Sequence, residues 1–160
     1  MSISATKSLA EKRLADLGIT LADMPKPMAN YVPFVRSGNL LFVSGQGPRT
    51  LDNKFLTGKV GKDITVAEAY NHARLVGINL LAVVYHAQNG LDTVKRVVKL
   101  TGFVNATEDF RDHPKVINGC SDLFVEVFGE TGRHARSAVG VSGLPENISV
   151  EIEAIFEVAP

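Results

Sequence analysis

The order of apolar and polar positions divides the chain into helical and extended segments. Apolar residues recur at helical spacing in three segments: 5–18, 66–84 and 114–129. Five other segments are rich in β-forming residues: 31–36, 39–44, 93–105, 136–141 and 148–156. Because paired strands surround two long helical segments, the pattern predicts an α+β domain with a mixed sheet and both long helices on one face.

Short signals mark where these elements begin and end. The Ser-Gly pair at 37–38 separates the first two extended segments and predicts a hairpin. Thr65 and Glu68 have the spacing of a capping box, so the long helix is expected to start there. The Asn-Gly pair at 89–90 is typical of a helix end.

We expect the chain to have two parts. Residues 1–28 predict a short amphipathic helix followed by an extended arm, and residues 29–160 predict one α+β domain without internal repeats. The segment 45–63 is rich in Gly, Pro and Asp, so it predicts a loop with a short strand near Phe55.

Composition narrows the classes of function. The 160 residues are 45% hydrophobic, and 17 basic residues balance 17 acidic ones. A chain without excess positive charge is a poor candidate for binding nucleic acid or an anionic membrane surface. Because no apolar stretch has the length of a signal peptide or a membrane span, we expect a cytoplasmic protein.

Several common catalytic motifs are absent from the sequence. It has no phosphate-binding loop, no complete dinucleotide fingerprint and no nucleophile elbow. Its four histidines lack the spacing of metal ligands, so we expect no metal site. Cys120, the single cysteine, is expected to be a small buried hydrophobe rather than a nucleophile.

Two longer segments resemble the YjgF/RidA family, whose better-studied members are reactive imine deaminases. These are NYVPFVRSGNLLFVSGQGP at 30–48 and RHARSAVGVSGLPENISVEIEAI at 133–155. The second contains an Ala-Arg-Ser strand, a Leu-Pro turn and a strand with alternating glutamates. Arg136 and Glu151 are 151 − 136 = 15 residues apart, which is the interval of the family.

The resemblance implies a chorismate-mutase-like α+β fold that assembles as a homotrimer, with ligand sites in clefts between subunits. It makes Arg136 the clamp for a substrate carboxylate and Glu151 the holder of the attacking water. The remaining residues that it assigns to substrate binding are Tyr31, Ser44, Gly45, Asn118 and Ala138.

The implied reaction is hydrolysis of a C=N bond, in which an enamine or imine such as 2-iminopropanoate yields a 2-keto acid and ammonia. This reaction requires no metal and no organic cofactor, so we expect none. The chain departs from the usual pattern in four places. Ala138 replaces a cysteine, His134 replaces a proline, about three extra residues lie near 111–113, and residues 1–28 extend the N-terminus.

Two other functions stay open. A trimer of this family could bind a small carboxylate metabolite through Arg136 without turnover, although such binding gives no reason for the acid at Glu151. Some relatives cleave RNA or inhibit translation. The zero net charge and the lack of a basic-aromatic patch argue against that activity.

Overall fold

The computed structural model describes residues 8–24, 26 and 29–160. Its strands are β1 (Phe34–Ser37), β2 (Leu40–Gln46), β3 (Val94–Asn105), β4 (Ala135–Val141) and β5 (Val150–Val158). Its helices are α1 (Leu9–Asp16), α2 (Val66–Gln88) and α3 (His113–Phe128). Two short 3₁₀ helices lie at Gly129–Gly132 and Pro145–Asn147.

The five strands form one mixed sheet in the order β1-β2-β5-β3-β4. Neighbouring strands are antiparallel except for β3 and β4, which run parallel. A parallel pair needs a long crossover, and α3 provides it between these two strands. β4 therefore lies at one edge of the sheet, and the predicted α+β class with a mixed sheet is confirmed.

Helices α2 and α3 cover one face of this sheet. Thr65 and Glu68 form the expected capping box at the start of α2, and Asn89 adopts a left-handed conformation at its end. The two helices approach each other closely at Gly119, which lacks a side chain. A Cβ at this position would overlap the backbone carbonyl of Tyr70. Their inner faces form one core with the side chains that β3 and β5 direct towards them.

Helix α1 packs against the same core. Ser8 and Glu11 form a capping box, and Ala10 and Leu14 are buried. Nη1 of Arg13 donates a hydrogen bond to the carbonyl of Val127 at 3.0 Å, which ties α1 to the end of α3. The predicted first helix thus begins at Leu9, and the earlier part of its expected range, 5–7, lies outside the described residues.

The other face of the sheet carries no helix in the part of the chain that the structure describes. It exposes apolar side chains, with Leu40 37%, Phe42 41% and Val139 44% accessible. Ser137 lies on this face too, because side chains alternate along β4. We call it the open face. No described helix combines the length and the hydropathy that crossing a bilayer requires.

Candidate functional site

Arg136 lies on the edge strand β4 and points to the helix layer. Its Nη1 donates hydrogen bonds to Oδ1 of Asn118 at 2.7 Å and to Oγ of Ser121 at 3.1 Å. Both partners lie on α3, three residues apart, and so occupy one side of that helix. Neither is charged, and Arg136 forms no ion pair with a carboxylate among the described residues. The half-buried guanidinium therefore retains its positive charge for an external anion.

A short hydrogen-bond relay fixes the second of these partners. Nδ1 of His134 lies 2.7 Å from the carbonyl of Gly132, which can only accept, so Nδ1 carries the proton. Nε2 of neutral His134 then accepts the hydroxyl proton of Ser121 across 2.9 Å. Burial lowers the pKa of His134, which favours this neutral form. The oxygen of Ser121 is consequently oriented as an acceptor for Arg136.

Glu151 lies on the open face of β5. Its neighbours Val150 and Ile152 are fully buried in the core, so the side chain of Glu151 points away from the helices. Desolvation is the main cause that raises the pKa of Glu151, and the nearby charge of Glu153 raises it further. A carboxylate with a raised pKa accepts a proton more readily than an ordinary one, which suits a general base.

Gly45 lies directly against this carboxylate. A Cβ at Gly45 would overlap Oε1 of Glu151, so only glycine leaves the side chain in its place. The register between β2 and β5 shifts between Val43 and Gln46, which places Gly45 inside this irregularity. The side chain of Asn79 in α2 holds the following loop by donating to the carbonyl of Gly47 at 3.0 Å.

The hydroxyl residues of the first hairpin lie near the same end of β2. The Oγ of Ser44 donates to the carbonyl of Val32 at 2.6 Å, so its lone pairs stay available as acceptors. Ser44 and Glu153 also line a cavity of about 230 Å³ on the open face. Tyr31 precedes β1, and its side chain is 53% exposed.

The candidate residues thus fall into two groups on opposite faces of one sheet. Arg136 and Asn118 form the clamp group on the helix side, and Ala138 follows Arg136 on that side of β4. Ser44 and Gly45 of β2 and Glu151 of β5 form the base group on the open face. Tyr31 lies before β1 and outside both groups. Strand β3 separates β4 from β5. One chain does not bring the two groups together.

Cys120 takes no part in either group. Its side chain is fully buried, and desolvation raises its pKa well above the neutral range, so the thiol stays protonated. The interpretation of Cys120 as a small buried hydrophobe is confirmed. Within the described residues, no cluster of three or more His, Cys, Asp or Glu side chains could hold a metal ion.

Ser121 contacts Arg136 but is not among the residues predicted from the sequence. Serine is common on exposed helix positions, so its type gave no signal. Its spacing did contain a signal, since a residue three positions after Asn118 lies on the same side of α3.

The extra residues near 111–113 lie at the start of α3. His113 begins this helix beside Gly140 of β4.

Comparison with known proteins supports the assignment of a family. Residues 11–156 match the sequence model of the family described as "YjgF/chorismate_mutase-like, putative endoribonuclease". The fold is similar to that of a protein of unknown function from Agrobacterium tumefaciens, with a TM-score of 0.87 and 51% identity over 94% of each chain.

Two curated relatives extend this comparison. Protein TCP17 of Trypanosoma cruzi is 44% identical over 158 residues, which cover 98% of each chain. The 2-iminobutanoate/2-iminopropanoate deaminase of Dermatophagoides farinae is 31% identical over 132 residues, 82% of this chain and 88% of that protein. With a family match over most of its length and a relative that aligns nearly end to end, the chain belongs to the YjgF/chorismate-mutase-like family.

Proposed function

We propose that this protein hydrolyses 2-imino acids of the 2-iminopropanoate type to 2-keto acids and ammonia. The observation that carries the proposal is the state of Arg136, a half-buried guanidinium held by two neutral oxygens. Such a cation is prepared for a planar carboxylate, which every 2-imino acid carries beside its C=N carbon. The relative from Dermatophagoides farinae named as an imine deaminase adds support from sequence.

The reaction needs one water, one proton acceptor and no redox partner. The water oxygen forms a bond to the imine carbon while Glu151 takes one of the water protons. Glu151 returns this proton to the nitrogen, and the hydroxyl of the tetrahedral adduct supplies a second one. The carbonyl then forms as the C–N bond breaks and ammonia leaves. Arg136 holds the carboxylate throughout, so the imine carbon stays beside the positioned water.

The proposal requires two copies of the chain at each site. Because Arg136 and Glu151 lie on opposite faces of the sheet, a small substrate can touch both only when the helix-side edge of one copy meets the open face of another. The exposed apolar side chains of the open face favour such contact. A homotrimer is the assembly that the family resemblance implies, and light scattering should report about three times the chain mass of 17.2 kDa.

Carboxylate binding without turnover is the alternative that a specific observation favours. Arg136, Asn118 and Ser121 form a complete anion clamp that does not involve Glu151. In that case 2-keto acids would bind and imines would not be consumed. The raised pKa of Glu151 argues for turnover, because it makes the carboxylate a better proton acceptor than binding alone would need.

A coupled assay separates the two functions. An amino-acid oxidase generates 2-iminopropanoate from alanine, and the rate of imine disappearance is recorded with and without this protein. We expect acceleration by the wild type and none by Arg136→Ala. Arg133→Gln, which removes an exposed arginine paired with Glu130, is the matched control and should keep the full rate. Binding of 2-oxobutanoate without any acceleration would support the alternative.

A further inference from the structure

A cavity lined by cationic side chains lies at the end of β4 that is far from Arg136. It has a volume of about 660 Å³. The residues that shape it come from the loop before α2, the extra segment before α3 and the end of β4: Lys59, Phe110, Arg111, His113, Gly140 and Ser142. Neither the imine reaction nor the clamp around Arg136 accounts for this set.

The two fixed cations of the cavity are held by uncharged oxygens. Nζ of Lys59 donates to Oδ1 of Asn105 at 2.8 Å and to the carbonyl of Ser142 at 2.6 Å. Nη1 of Arg111 donates to the carbonyls of Glu108 and Phe110 at 2.7 and 2.9 Å. Among the described residues neither cation forms an ion pair with a carboxylate, and Glu108 is the one acid in the lining. The cavity therefore has a net positive lining that suits an anion.

His113 forms the wall of the cavity nearest to the clamp group. Its ring contacts Phe110 edge-on with a centroid distance of 5.0 Å, which restricts its rotation. A Cβ at position 140 would overlap Nε2 of His113, so the imidazole can lie over the strand only because that residue is glycine. The ring thus presents a hydrogen-bonding edge at a defined position on β4.

The cavity and the clamp group lie along one side of β4. Arg136, Ala138 and Gly140 face the helix layer in turn, so a ligand that begins at Arg136 and follows the strand passes Ala138 and reaches His113. Arg136 is four residues from Gly140, where the ring of His113 lies, and this is about 13 Å along β4. With a hydrogen bond of about 3 Å at each end, a dicarboxylate of four or five carbons has a comparable reach.

We propose that the preferred substrates carry a second carboxylate, which the cavity binds through Arg111 and His113 while Arg136 holds the first. The substrate class is then the 2-imino dicarboxylates of four or five carbons, which oxidation of an acidic amino acid would supply. This inference rests on the proposed imine hydrolysis.

The test compares two imines and two 2-keto acids on the same set of variants. An amino-acid oxidase generates the imine of glutamate or of alanine, and 2-oxoglutarate and 2-oxobutanoate are titrated by calorimetry. For the wild type we expect kcat/KM with the dicarboxylate imine to exceed that with 2-iminopropanoate. In Arg111→Gln and in His113→Ala the ratio of the two values should fall about ten-fold or more. Arg133→Gln should leave the ratio unchanged.

The possible outcomes separate this inference from the function on which it rests. Turnover of 2-iminopropanoate with an unchanged ratio in Arg111→Gln would overturn the second anion site and leave the imine deaminase intact. No turnover of either imine would contradict the proposed function, and a loss of 2-oxoglutarate affinity in Arg111→Gln would then still support the second site. Affinity for 2-oxoglutarate that depends on Arg111 but not on Arg136 would indicate two separate anion sites and overturn a single ligand that spans them.

Discussion

Asn118 accepts a hydrogen bond of 2.7 Å from Nη1 of Arg136, and this bond determines where the guanidinium of an edge strand can point. An amide oxygen orients the arginine without neutralising it, whereas a carboxylate would do both. Ser121 adds a second neutral acceptor. Helix α3 thus fixes the orientation of the Arg136 guanidinium at the edge of the sheet and leaves its positive charge available to a ligand.

Replacing Arg136 should weaken carboxylate binding even when the charge is kept. A lysine ammonium cannot donate two parallel hydrogen bonds with the same geometry, so Arg136→Lys loses one charge-assisted bond of about 1.5–3 kcal/mol. Titration with 2-oxobutanoate should then show affinity reduced roughly ten- to a hundred-fold. Arg136→Ala should abolish imine hydrolysis with the fold intact, as judged by circular dichroism. Full binding and full rate in Arg136→Ala would show that Arg136 does not hold the substrate carboxylate.

Ser121→Ala should weaken binding through Arg136 rather than by changing the fold. The variant removes one acceptor from Arg136 and the donor to His134, and a neutral hydrogen bond contributes about 0.5–1.5 kcal/mol. We expect the dissociation constant of 2-oxobutanoate to rise about two- to ten-fold. In the Arg136→Ala background the same substitution should cause no further loss. An equal loss in both backgrounds would mean that Ser121 does not act through Arg136.

Glu151 should control the acid limb of the pH–rate profile. Its pKa is raised, chiefly by desolvation and then by Glu153, so the basic form develops at a higher pH than for an ordinary glutamate. Glu153→Gln should lower this pKa and move the acid limb of kcat/KM to lower pH. Glu151→Gln should reduce turnover much more than 2-oxobutanoate binding. An acid limb that stays in place in Glu153→Gln would contradict this assignment.

The same raised pKa affects stability in a defined direction. Between the unfolded and folded pKa values of Glu151 the folded protein binds more protons than the unfolded one. The contribution of Glu151 to the free energy of unfolding is therefore present below its pKa in the unfolded chain. It is lost as the pH rises through its pKa in the folded protein. Glu151→Gln should reduce this pH dependence in denaturant titrations.

Gly45→Ala tests the close contact with the carboxylate. Its Cβ would overlap Oε1 of Glu151, so the side chain must move away from its present position. We expect a turnover loss comparable to that of Glu151→Gln, together with retained binding of 2-oxobutanoate. Gly143→Ala is the matched control, because a Cβ there meets no atom within 4 Å. Equal rates for the two alanine variants would show that the position of Glu151 does not limit turnover.

The sequence predicted most of the fold because its signals are local. Thr65 and Glu68 marked the start of α2, and the strict alternation around Glu151 placed that residue opposite the core side chains of β5. These features depend on neighbours within a few residues, so periodicity and capping patterns report them directly. The strand bounds shifted by one to three residues: β1 begins at Phe34 instead of at 31, and β5 begins at Val150 instead of at 148.

The side of the sheet on which Arg136 lies could not be predicted in the same way. In the strand ARSAVGV both faces carry small residues, so no alternation of size or polarity distinguishes them. Its direction depends on Asn118 and Ser121, which lie 15 or more residues away in the chain. The resemblance named Arg136 and Glu151 together, but their placement on opposite faces follows only from the three-dimensional structure.

Mixing two inactive variants tests the central claim, that each site takes Arg136 from one copy and Glu151 from another. Arg136→Ala and Glu151→Gln are unfolded and refolded together in equal amounts, and each is refolded alone as the control. If copies mix at random, about a quarter of the sites in a symmetric ring receive an intact Arg136 and an intact Glu151. We expect recovery of roughly that fraction of the wild-type rate. No recovery, although mass spectrometry shows mixed assemblies, would contradict it.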